Sequence, residues 1–231
     1  MSTSKLDTGS LENAAYTELY NAIISGIFPP GSQIVEDQVA TQLEMSRTPV
    51  RSALKRLQAE GFIEKRANKR IYVTHATADH IIHILHIREA LDGMASRLAA
   101  INRTDDDIAR IQDNLRQSEE LLASGDFFKQ HILAVQIHEI IYDTSHNEPL
   151  ARLAKNTETQ TNMFTYQSMI DDFSRAKKAL EEHRLICEHI IRQDPESAEA
   201  AARMHIQALI QRVVIVEKRQ KTSLSFPSRL V

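Results

Sequence analysis

From residue 79 to residue 219 the apolar side chains recur at helical spacing, and the pattern breaks only where a helix has a reason to end. Thr104 with Asp107 has the spacing of a capping box, Gly125 is a breaker, and Asp194-Pro195 is a cap followed by proline at the first helical position. This predicts helices over 79–102, 105–123, 126–144, 149–170, 174–193 and 195–219, an all-α antiparallel bundle with 220–231 as a tail. Six glycines, six prolines and no Trp in 231 residues argue against a sheet-rich or low-complexity chain. The single cysteine excludes an internal disulfide framework and fits a reducing cytoplasm. No apolar run is long enough to span a bilayer, and residues 1–10 lack the apolar core of a signal peptide, so a cytoplasmic protein without membrane contact is expected.

The first 75 residues are organised differently. Residues 1–9 are expected to be disordered, and Ser10 to cap a helix carrying Leu11, Ala15, Leu19, Ala22 and Ile23. Pro29-Pro30-Gly31 forces a turn. A short helix is predicted over 36–43. Ser46 is expected to cap a third helix that runs to Glu60, and Gly61 to stop it. Pro49 is tolerated because first-turn amides have no intrahelical acceptor. Residues 62–65 and 70–73 suit two short strands around the polar turn 66–69. Two helices joined by a short turn and followed by a ribbon make a winged helix-turn-helix, here 10–75, with 76–78 as linker.

The net charge of −3 implies no nucleic-acid partner, but its distribution does. Residues 47–70 hold eight basic side chains against Glu60 and Glu64. On the third helix Val50, Ala53, Leu54 and Leu57 form one apolar arc, and Arg47, Thr48, Arg51 and Lys55 form another about 120° away. Anchored by the first arc, the helix presents the second to a major groove. Arg47 and Arg51 suit guanine edges, Thr48 a phosphate or base, and Lys55 and Arg56 phosphates. Asn68 and Lys69 in the turn suit the neighbouring minor groove.

The stretch Leu19 to Val73, with "IFPPG" at 27–31 and "SRTPVRSALKRLQAEGFI" at 46–63, resembles the DNA-binding domain of GntR-family bacterial transcription regulators. The resemblance implies that Ser46, Arg47, Thr48 and Arg51 contact operator DNA, with the wing around Asn68. The turn "RANKR" lacks the glycine frequent there, and Asn68 is the residue expected to take its left-handed conformation.

Nine of the ten histidines follow residue 76, and His138, His183 and His205 fall on three different predicted helices. Three imidazoles converging in a bundle are a normal ligand set for a divalent ion, although a helical histidine is more often solvated or hydrogen-bonded. The segments 84–100, 137–153 and 181–206 resemble the all-helical FCD effector domain of the FadR-type branch of that family. There, three histidines and an aspartate commonly hold a metal above an effector pocket. The resemblance assigns the histidines to His138, His183 and His205, and places Ala134 where the aspartate belongs. It implies a zinc-, nickel- or manganese-like ion on three ligands. Without metal the imidazoles can donate directly to an acidic effector. His131 lies roughly 10 Å of helix rise from His138, too far to replace the carboxylate. Cys187, one turn beyond His183, is placed to approach the same ion, but a buried thiol of this kind is expected to be an apolar core residue. Arg88 has two readings: a partner for the effector carboxylate, as the resemblance implies, or a salt bridge to a helix neighbour.

The leading expectation is a homodimeric regulator, by family habit a repressor, that binds an inverted-repeat operator and responds to a small organic acid. Its rivals are a three-histidine metal-dependent hydrolase and an architectural DNA binder. No HExxH pattern, nucleophile elbow or phosphate loop supports the enzyme.

Overall fold

The computed structural model describes residues 8–74, 77–170 and 173–224. The start of the N-terminal segment (1–7), Ala76 of the expected linker and the end of the tail (225–231) lie outside the described residues. The fold is mainly α, and the chain divides between residues 76 and 77 into two compact units.

The first unit runs α1 (Thr8–Ile24), β1 (Gln33–Ile34), α2 (Glu36–Gln42), α3 (Arg47–Ala59), β2 (Ile63–Lys65) and β3 (Ile71–Val73). Helix α1 is already helical at Thr8, so Ser10 lies inside it rather than capping it. Ala15, Leu19 and Ile23 on α1 and Val50, Ala53, Leu54 and Leu57 on α3 are all buried, and the two helices pack on each other. Gly61 ends α3 at φ +84°, a conformation that costs a residue with a Cβ, and the Phe62 amide then donates to Leu57 O at 3.0 Å.

The sheet has one strand more than the sequence suggests. β3 is central, antiparallel to β2 with Glu64 opposite Tyr72, and antiparallel to β1 with Gln33 opposite Tyr72. β1 is two residues long, too short for alternation to reveal it, and exists only because β3 offers its second edge.

The second unit comprises α4 (Ala78–Asn102), α5 (Asp105–Ser124), α6 (Phe127–Thr144), α7 (Glu148–Ile170), α8 (Ser174–Ile191) and α9 (Pro195–Leu224). The capping box is formed: the Asp107 amide donates to Thr104 Oγ1 at 3.2 Å, and the Thr104 amide donates to Asp107 Oδ2 at 3.0 Å. Thr77 caps α4 by accepting from the His80 amide, so the helix begins inside the expected linker. Helix α4 is the hub, in contact with α6, α7, α8 and α9. Gly93 lets α9 come close: a Cβ there would meet the Arg203 side chain at 3.0 Å. Cys187 is fully buried among Ile137, Ile141, Ile186 and Ile190, and burial pushes its thiol up to about 12, as an inert core residue requires.

Candidate functional site

Two arrangements carry chemistry, one in each unit. In the first, α3 buries its apolar arc and leaves Ser46, Arg47, Thr48, Arg51 and Lys55 exposed. Ser46 holds the N-cap position in extended backbone, but its hydroxyl makes no cap bond, contrary to the sequence expectation. The first-turn amides of α3 therefore lack that acceptor.

The arginines are not free-standing. Arg51 donates from Nε to both Glu36 oxygens, at 3.1 and 3.3 Å, and from NH2 to Oε1 at 2.7 Å. Arg47 Nε pairs with Asp37 Oδ1 at 2.9 Å. Both acids stand in the first turn of α2, where they also suit the positive end of the helix dipole. Sequence reasoning missed these pairs because ten and fifteen residues separate the partners, and only the helix-turn-helix brings them together.

Arg56 is committed within its own unit. Its guanidinium lies over the Tyr16 ring at 3.7 Å and donates to Glu60 Oε1 at 3.0 Å, while Tyr16 donates to the other Glu60 oxygen. In the wing, Lys69 and not Asn68 takes the left-handed conformation, at φ +62°. The Lys69 amide donates to Arg66 O at 2.8 Å, closing a turn whose last residue must be left-handed for the ladder to resume. Asn68 does different work, its Oδ1 accepting from the Arg70 amide at 3.0 Å. Asn68 and Lys69 are both exposed.

In the second unit α6, α8 and α9 bring His138, His183 and His205 together. Their ring centroids are 4.8, 5.2 and 4.7 Å apart, and all three residues are buried. One candidate ligand atom from each lies within 4.8 Å of the others, against about 3.4 Å between tetrahedral ligands of zinc, so a small inward movement suffices. His205 Nδ1 meets Glu182 Oε2 at 2.7 Å, and His138 Nδ1 lies 3.4 Å from Asp92 Oδ2. Carboxylates on Nδ1 leave Nε2 as the ligand atom, the usual outer support of a metal-binding histidine. His183 Nε2 is buried with no hydrogen-bond partner among the described residues. Burial, together with His205 and His138, holds the His183 imidazole well below its usual pKa, and burial takes His205 to about 4 despite Glu182. Both are neutral at pH 7, the form a metal needs. The donor set fits a divalent ion.

Asp92, Glu158 and His138 make a second close group, but it already holds a cation. Arg88 donates from NH2 to Glu158 Oε2 at 2.7 Å and Asp92 Oδ2 at 3.2 Å, and from NH1 to Thr161 Oγ1 at 2.7 Å. Tyr142 donates to Asp92 Oδ1 and Glu158 Oε2 at 2.7 and 2.9 Å. Burial is the largest single effect and opposes ionisation of Asp92, yet the Arg88 guanidinium and the contacts from His138 and Tyr142 together outweigh it and hold the carboxyl at about 2. A metal here would have to displace a fully buried guanidinium. Arg88 thus makes the salt bridge that was one of its two sequence readings, and its Nε has no partner among the described residues.

Arg88, Gln130, His131, Ala134, His138, Glu158, Arg175, His183 and His205 all border one cavity of about 60 Å³. Ala134 faces it without a carboxylate, as its mapped position implies. His131 borders it too, with Nε2 2.5 Å from Asn162 Oδ1 rather than near the other imidazoles. Arg175 is neutralised by a bidentate pair with Glu182 at 2.8 Å for both contacts. Gln130 escaped the sequence reading, since a glutamine within a helix carries no distinguishing signal.

Comparison with known proteins gives the same division of the chain. The FCD domain family matches residues 83–208, and the family described as bacterial regulatory proteins, gntR family, matches residues 11–73. The chain is 31% identical over 186 residues to the Nta operon transcriptional regulator of Aminobacter aminovorans, covering 80% of this chain and 85% of that one. It is 26% identical over 211 residues to the Uxu operon transcriptional regulator of Escherichia coli, covering 83% and 82%. The solved structure of E. coli McbR/YncC shares the fold, with a TM-score of 0.78 at 22% identity over 90% of this chain and 99% of that one. Among the described residues no helix is long and apolar enough to cross a membrane. These relatives are transcriptional regulators and not enzymes. The chain belongs to the gntR family of bacterial regulatory proteins and is a DNA-binding transcriptional regulator with a C-terminal FCD domain.

Proposed function

We propose that this regulator is a cytoplasmic homodimeric repressor whose grip on an inverted-repeat operator is set by a small carboxylate bound in the FCD cavity, beside a divalent metal on His138, His183 and His205. Residues 10–75 are the DNA-reading domain, 76–78 the linker and 79–219 the effector and dimerisation domain. Arg47 and Arg51 read base edges, Ser46, Thr48 and Lys55 hold phosphates, and Asn68 and Lys69 reach the minor groove. Arg56, tied to Tyr16 and Glu60, supports α3 and adds positive charge near the backbone.

One observation carries the effector reading. Among the described residues three buried polar atoms without partners, Arg88 Nε and both amide atoms of Gln130, belong to residues bordering the same cavity, apart from His183 Nε2, which is left for the metal. Leaving such atoms unpaired costs roughly 1–3 kcal/mol each, so a cavity bordered by residues carrying three of them suits a polar occupant. The relatives' names, tied to single operons, favour local control of one pathway. Regulation requires that the ligand favour one of two dimer states that differ in DNA affinity.

The test is fluorescence anisotropy with a duplex selected by the wild-type protein from a random library. Arg51→Ala is expected to cost roughly 1–3 kcal/mol and to relax base preference, and Lys55→Ala to weaken all sequences alike and lower the salt slope. Unchanged affinity in both variants would remove α3 as the reader.

A further inference from the structure

Gln130 is 1% exposed, and neither its Nε2 nor its Oε1 has a hydrogen-bond partner among the described residues. It borders the cavity together with Ala134 and His138, at positions i, i+4 and i+8 on one face of α6. Gln130 and His138 therefore stand about 12 Å apart along the helix axis, at different heights of the same cavity. Near His138 stand the His183 imidazole and Arg88, with unpartnered Nε2 and Nε atoms. At Gln130 the orphan is a neutral amide that offers one donor and one acceptor side by side.

Resting on the effector reading above, we propose that Gln130 is the specificity-determining residue of the cavity and selects a small monocarboxylate bearing a hydroxyl at the end remote from its carboxylate. A hydroxyl donates to Oε1 while accepting from Nε2, so it satisfies both amide atoms at once. A methyl group satisfies neither. A second carboxylate satisfies only Nε2, sets its charge against Oε1 and meets no free cation among the described lining residues, because Arg175 is spent on Glu182 and Arg88 on Asp92 and Glu158.

Size narrows the class further. A water needs roughly 10–15 Å³ of such space, so a cavity of about 60 Å³ takes about four to six non-hydrogen atoms. A hydroxy acid of six non-hydrogen atoms, such as 3-hydroxypropionate, matches that size.

3-Hydroxypropionate and butyrate provide the test, because they match in length and differ only in a terminal hydroxyl against a methyl. Isothermal titration of each into the full chain is compared for wild type, Gln130→Leu and Gln130→Met, with thermal melts to confirm folding. Wild type is expected to bind 3-hydroxypropionate at least tenfold more tightly than butyrate, and both variants to lose that preference. Neither variant should melt lower than wild type, since each removes an unpaired buried amide. Equal binding of the two acids by wild type, or an undiminished preference in the variants, overturns the assignment of Gln130 and leaves the effector reading standing. If wild type binds neither acid, nor acetate, propionate or succinate, the carboxylate-effector reading falls and this inference falls with it.

Discussion

Glu36 holds Arg51 by one edge: Nε and NH2 are engaged at 2.7 to 3.3 Å, and the remaining NH1 edge carries no partner from Glu36. The pair is largely exposed on the arginine side, where an ion pair adds little to stability. Its consequence is geometric, because a guanidinium fixed along one edge can offer the other to a guanine without losing further rotamer freedom. Glu36→Gln should therefore have opposite effects on two kinds of DNA. Affinity for random-sequence duplex should rise a few-fold as a negative charge near phosphate disappears, while the ratio of selected to random duplex falls about tenfold. Anisotropy titrations over a salt series measure both; a parallel rise for both duplexes would reduce Glu36 to a charge effect.

Arg88 is surrounded by groups that depend on it. Truncation to Ala leaves Asp92 and Glu158 buried without their cation, a change that typically costs about 3–5 kcal/mol. Arg88→Ala should accordingly lower the denaturation midpoint strongly, whatever it does to ligand binding. A variant as stable as wild type would show that the carboxylates find another counter-charge.

Ala134 borders the cavity at the position mapped to the missing metal-ligating carboxylate. Ala134→Asp should raise metal content after purification and widen the difference in melting temperature with and without chelator. Metal analysis with paired melts decides it. No metal in either protein would turn the histidine cluster into a purely hydrogen-bonding surface for the ligand.

His131 gives a pH dependence with a definite sign. Burial lowers its pKa from 6.5 to about 4, only partly offset by the contact with Asn162. Above 6.5 it is neutral in both folded and unfolded chains and stability is unaffected. Below 6.5 the unfolded chain takes up a proton that the folded chain refuses, so stability falls until about pH 4, by about 3 kcal/mol in total. His183 and His205, also held low, act in the same direction. With chelator present, His131→Gln should lose less stability than wild type between pH 6.5 and 4. Urea melts at several pH values make the comparison.

What was legible in the sequence was what depends on neighbours along the chain. The helices of the bundle follow from the period of their apolar residues, and the Thr104–Asp107 box from a three-residue spacing. The two arcs of α3 follow from 100° per residue, and the convergence of the three histidines was legible only through family resemblance.

Tertiary structure decided what depends on residues far apart in number. It placed Glu36 and Asp37 against the α3 arginines, gave the left-handed wing position to Lys69, and added β1 to an edge that no local pattern announces. It resolved Arg88 toward Asp92 and Glu158, because a guanidinium at a helix crossing must find carboxylates before it can be buried. It also left the Gln130 amide without a partner among the described residues. Whether a buried polar atom is paired depends on every element packed around it, and a spacing rule read along one helix carries no information about the others.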